Sequence, residues 1–102
     1  MRPDGYPDDE ELERIRTWDY RDLLALFRYI EERWWAPEYF RIRTRKYKGH
    51  IRAEVHTVGW SGNESLIDAL MENTMAWMLC WESSERGGHY MFRIPALGDA
   101  TS

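Results

Sequence analysis

Apolar residues along this chain recur with two different periods, and the change of period marks its elements. Leu23, Phe27, Ile30 and Trp34 fall at i, i+4, i+7 and i+11, and Leu24 and Leu26 widen that stripe. Positions so spaced share one face of a helix, which predicts a helix from about Trp18 to Trp35. Thr17 or Asp19 suits its N-cap. Pro37 stops it, because proline cannot continue a helix and biases Ala36 away from helical geometry. From Tyr39 to Val58 the period becomes two. Phe40, Ile42, Ala53 and Val55 alternate with polar residues about a Lys48-Gly49 turn, the pattern of a β-hairpin. The register expected from that turn sets Tyr47 opposite His50, Arg45 opposite Arg52, Arg43 opposite Glu54 and Arg41 opposite His56.

After Gly59, Ser61 and Glu64 have the spacing of a capping box opening a second helix over about 62–72. Leu66, Ile67, Leu70 and Met71 give its apolar stripe, and Asn73 suits a left-handed residue at its end. Met75, Trp77, Leu79 and Trp81 then alternate with Ala76, Met78, Cys80 and Glu82, which favours a strand over an extension of that helix. Ser83 to Gly88 reads as a loop and His89 to Ile94 as a last strand, ended by Pro95. This second hairpin is apolar on both faces, as central strands are. The expected architecture is α+β in the order α-β-β-α-β-β, a four-stranded antiparallel sheet with two helices on one face.

Length and charge narrow the picture. At 102 residues the chain forms one domain, with 15% aromatic residues and a formal charge of −4. The organisation expected is an acidic, flexible segment over 1–16, the α+β domain over 17–95 and a flexible tail over 96–102. Within the first segment the stretch from Asp8 to Arg16, with acids at its start and arginines at its end, suits a helical turn or two. The overall sign argues against a nucleic-acid-coating protein, but the charge is uneven. Residues 39–52 hold Arg41, Arg43, Arg45, Lys46, Lys48 and Arg52 with no acid. A single cysteine, Cys80, allows no internal disulfide, and neither a secretory leader nor a membrane span is visible. A cytoplasmic protein without membrane contact is expected.

Alternation places Arg41, Arg43, Arg45, Arg52, His50 and His56 on the hairpin face opposite the apolar one, with Tyr39 and Tyr47 beside them. Guanidinium pairs with phosphate, and aromatic rings stack on bases. The function expected is therefore a non-enzymatic binding module. It contacts single-stranded nucleic acid or another polyanion through Tyr39, Arg41, Arg43, Arg45, Tyr47 and Arg52. The competing view is a solvated face on which Glu54 neutralises Arg43, or on which the acidic N-terminal segment docks. A second function class is a protein-interaction or structural component, a homodimer or a binder of an acidic or host protein. It would use Trp35, Trp60, His56 and His89, because six tryptophans exceed what this core encloses.

Enzymatic chemistry is not expected. Cys80 lies in an apolar run, no serine sits in a nucleophile elbow, and an enzyme would need a pocket gathering His56, His89 and an acid. No metal or cofactor is expected either. His50 and His56 are about 20 Å apart along one strand, Cys80 is alone, and no glycine-rich phosphate loop is present.

The runs Arg21-Asp22-Leu23-Leu24-Ala25-Leu26-Phe27, Gly59-Trp60-Ser61-Gly62-Asn63-Glu64 and Arg86-Gly87-Gly88-His89-Tyr90 resemble short uncharacterised proteins of actinobacterial phages and their hosts. The resemblance covers about residues 17–94. It implies the setting of a phage accessory protein, and it carries over no activity and no functional residue.

Overall fold

Two apolar surfaces made by different periods meet in one core. The computed structural model describes residues 6–45 and 50–94, the side chains of Thr44, Arg45 and His50 apart. Its helices are α1 (Asp9–Arg16), α2 (Leu23–Arg33), α3 (Ser61–Glu72) and α4 (Thr74–Cys80). Its strands are β1 (Phe40–Arg45), β2 (His50–His56), β3 (Trp81–Glu85) and β4 (His89–Ile94), all antiparallel in the order β1-β2-β4-β3. Phe40, Ala53, Val55, Phe92 and Ile94 are buried on one face of the sheet. Helix α2 meets that face through Phe27 against Phe92, with ring centres 5.1 Å apart. Helix α4 meets it through Trp77 against Phe92 at 5.6 Å and Tyr90 at 6.2 Å. Helix α1 lies against α3. The class is thus α+β around a four-stranded antiparallel sheet, but with four helices where two were expected.

Both added helices have local causes. Residues 9–16, expected as a helical turn or two within a flexible segment, form α1 because Asp8 and Glu11 make a reciprocal capping box. The Glu11 amide donates to Asp8 Oδ1 at 2.8 Å and the Asp8 amide to Glu11 Oε1 at 3.0 Å. Ile15 is fully enclosed, and Arg33 Nε donates to Glu11 Oε2 at 2.6 Å, tying α1 to α2. The run 75–81, expected as a strand, is helical from Thr74 to Cys80. Asn73 Oδ1 accepts from the Ala76 amide at 3.2 Å and caps it, while Ala76 and Cys80, four apart, face the core. The strand that follows reaches into the expected loop, leaving only Arg86, Gly87 and Gly88 as the turn. Of this hairpin β4 is central, while β3 is the sheet edge.

Four further expectations shift. The first long helix is shorter, α2 being preceded by a 3-10 turn at Tyr20–Asp22 that Asp19 caps. Helix α3 has Trp60 at its N-cap with no side-chain cap, so the Ser61–Glu64 box does not form. Instead the Ser61 and Tyr6 hydroxyls share a hydrogen bond of 2.8 Å. Asn73 is not left-handed (φ −83). The hairpin register is displaced by two residues, so Arg41 faces Glu54, Arg43 faces Arg52 and Arg45 faces His50. A slip of two preserves the faces, since side-chain alternation also has a period of two. The Lys48-Gly49 turn, Tyr47 and the 96–102 tail lie outside the described residues.

Candidate functional site on the open sheet face

The face of the sheet turned away from the core carries its polar residues in rows across the strands. Pairing through β2 aligns Arg41, Glu54 and Met91 in one row, Arg43, Arg52 and Arg93 in the next, and His56 beside His89 beyond Glu54. Glu85 extends the histidine row on β3. Neighbouring strands lie about 4.8 Å apart, so three guanidinium-bearing positions fall within about 10 Å of one another. Glu82, at the irregularity between Trp81 and Ser83, reaches over to Arg52, with 3.3 Å between Oε1 and a terminal guanidinium nitrogen. Arg52 Nε is buried without a hydrogen-bond partner among the described residues. Of the expected binding residues, Tyr39, Arg41, Arg43 and Arg52 share this face. Tyr47 and the Arg45 side chain lie outside the described residues, and Arg93 from β4 was not foreseen.

One end of the face opens into a cleft of about 430 Å³ lined by Glu38, Tyr39, Arg41, Glu54, Val55, His56 and His89. The antiparallel β2–β4 pairing brings His56 directly opposite His89, with ring centres 5.9 Å apart and nearly perpendicular. The Tyr39 ring lies 6.0 Å from His56. His89 Nε2 is 3.6 Å from Glu54 Oε1. His56 Nδ1 accepts from the Val58 amide at 2.9 Å, a contact made as the chain turns through Val58 (φ 50) and Gly59 (φ 71). A ring nitrogen that accepts carries no proton, so neutral His56 holds its proton on Nε2 and offers a donor there. Arg41 Nε donates to the Glu38 carbonyl at 3.3 Å. The cleft therefore holds one guanidinium against two carboxylates and is net acidic, unlike the arginine row beside it. Among the described residues no group of three histidine, cysteine or carboxylate side chains is placed to hold a metal ion.

The remaining interaction candidates form a separate cluster. Trp60 stacks between Tyr6, at 4.7 Å, and Trp35, at 5.6 Å. Its ring also covers Gly62, where a Cβ would come within 2.2 Å of it. Glycine at that point makes room for an indole, and not for an anion. Cys80 is enclosed, and burial pushes its thiol up to about 12, so the nucleophilic thiolate is suppressed at neutral pH.

A third feature arises from α4 becoming helical. Met71, Met75, Met78, Leu79 and Trp81 are all exposed, Met78 to 72%. No charged residue lies between Thr74 and Trp81 to break this surface, and the β3 edge adjoins it. Its signal was the uncharged run itself, which alternation made look like a buried strand. Glu54 was foreseen on this face only as a partner for Arg43, and Glu38, in the 3-10 turn Pro37–Tyr39, was not foreseen in the cleft. His89 joins them by pairing between the two hairpins, which is not readable from either hairpin alone.

No family model, no curated protein and no solved structure matches this chain.

Proposed function

We propose that the open face of the sheet binds single-stranded nucleic acid, with phosphates on the arginine row and bases toward Tyr39. The observation that carries this reading is the alignment of Arg43, Arg52 and Arg93 across three adjacent strands. Like charges directly opposite one another oppose sheet formation; Glu82 offsets part of that charge at Arg52, and an anion laid across the row offsets more of it. Guanidinium meets phosphate through paired, charge-assisted hydrogen bonds. Arg45 and Tyr47, one step nearer the hairpin end, belong to the same proposed surface. The test is fluorescence anisotropy with labelled 12-nucleotide single-stranded DNA and RNA at two salt concentrations. Binding must weaken steeply with salt, and Arg43→Glu must lower affinity about tenfold or more. Absence of binding to both strands at low salt refutes the reading.

A second reading, a homodimer, is favoured by the exposed methionines and Trp81 of the α4–β3 edge. Contiguous apolar surface on that scale is characteristic of protein–protein contact. In this reading a second copy covers the patch.

A further inference from the structure

We infer that the His56–His89 cleft reads one unstacked base of the bound strand and selects guanine. The inference rests on the nucleic-acid reading of the neighbouring arginine row and adds to it a specificity that the row lacks. Phosphate contacts position a strand without reading its sequence; base-edge contacts do the reading. The cleft differs from the row in sign. With one guanidinium, that of Arg41, against the carboxylates of Glu38 and Glu54, it disfavours phosphate and favours a neutral group rich in hydrogen-bond donors. One wall, the exposed Tyr39 ring, offers a face for a base to stack on; His56 lies too close and too tilted to Tyr39 for a base to enter between them. Tyr39 is 48% exposed, and its ring and that of His56 stand 6.0 Å apart at an interplanar angle of 57°. A volume of about 430 Å³ admits a single base.

The choice among bases follows from their edges. Guanine presents two adjacent donors on its Watson–Crick edge, N1–H and the N2 amino group, and a carboxylate accepts both in parallel, as it does from arginine. Beside them lies the O6 acceptor, for which the cleft has His56 Nε2–H and the terminal nitrogens of Arg41. Adenine and cytosine place a lone pair where guanine has N1–H, and that lone pair faces the carboxylate. Uracil offers a single N–H flanked by two carbonyl oxygens. Glu54 is the carboxylate for this task. It sits in register between Arg41 and Met91, and its contact with His89, 3.6 Å, is too long to occupy it.

The experiment compares four labelled RNA dodecamers, each a run of uridines with guanine, adenine, cytosine or uracil at the sixth position. The guanine strand is expected to bind about tenfold more tightly than the other three. Glu54→Gln should bring the guanine-to-uracil affinity ratio close to one, because an amide opposes one donor with its own. Arg43→Glu should weaken all four strands alike and leave that ratio in place. Equal binding of the four strands by the unaltered protein overturns the inference while leaving the arginine-row reading intact. Should no strand bind, that reading fails, and free guanosine, which carries no phosphate, decides the cleft by itself. It must shift the imidazole NMR signals of His56 and His89 where adenosine, cytidine and uridine do not, and equal or absent shifts overturn the inference.

Discussion

Asn63 directs its whole side chain to backbone groups that would otherwise be stranded in the core. Its Oδ1 accepts from the Trp35 amide at 2.9 Å, and its Nδ2 donates to the Trp35 carbonyl at 3.0 Å and the Thr57 carbonyl at 3.3 Å. It thereby joins the turn after α2, the end of β2 and the start of α3. Asn73 repeats the device at the other end of α3, donating to the Ile15 and Trp18 carbonyls at 2.9 and 3.1 Å. Buried groups left without partners cost about 1–3 kcal/mol each, so Asn63→Ala should lower stability by about 3 kcal/mol, read as a lower urea midpoint. Gly88 is as constrained. Its φ is +82 and an added Cβ would lie 2.0 Å from Thr57 Oγ1, so Gly88→Ala should cost about 2 kcal/mol or more in the same measurement. Cys80 gives a pH dependence. Burial raises its thiol to about 12 from an ordinary 9.0. Between those values the unfolded chain has lost the proton that the folded chain keeps. The contribution is therefore complete below pH 9 and is lost as pH rises toward 12. The fall in urea midpoint across this range should be shallower in Cys80→Ala than in the unaltered protein.

Among elements, α1 shows how a few polar atoms decide a helix. Its eight residues are too short to be helical alone, and the Asp8–Glu11 box together with Ile15 supplies what propensity does not. Asp8→Ala should cost about 1 kcal/mol, and hydrogen exchange of the α1 amides should quicken more than that of β4. The spacing of a capping box was read at Ser61 and Glu64, whereas the box that does form, between Asp8 and Glu11, was not read as one. At Ser61 the box did not form, because Trp60 takes the cap position and the serine hydroxyl is shared with Tyr6. Helix α4 was misread for a related reason. An uncharged run of seven fits a strand and a buried helix equally well by period, and Asn73 resolves the choice by capping it. In the first hairpin the faces were legible and the register was not. Alternation determines which side a residue takes, whereas the pairing depends on a turn whose length alternation does not contain.

At the scale of the molecule, the strand order β1-β2-β4-β3 does two things. It places the arginines of three strands in one row and the two histidines side by side, and it leaves β3 as an edge next to the exposed face of α4. If a second copy covers that face, light scattering should give twice the chain mass. Met78→Glu, at a side chain 72% exposed, should return the monomer with little loss of stability. A monomer in the unaltered protein at high concentration removes the dimer reading. The sequence by itself determined the class, the two-faced first hairpin, the stop before Pro37 and the last strand, because each rests on a local period or a local breaker. The tertiary structure alone decided that His56 meets His89 beside Glu54. It also decided that Arg93 joins the arginine row, since these depend on contacts between residues far apart in the chain. The basic face read from one hairpin thus becomes an arginine row beside a carboxylate-lined cleft, because β4 brings its own arginine and histidine into the same rows.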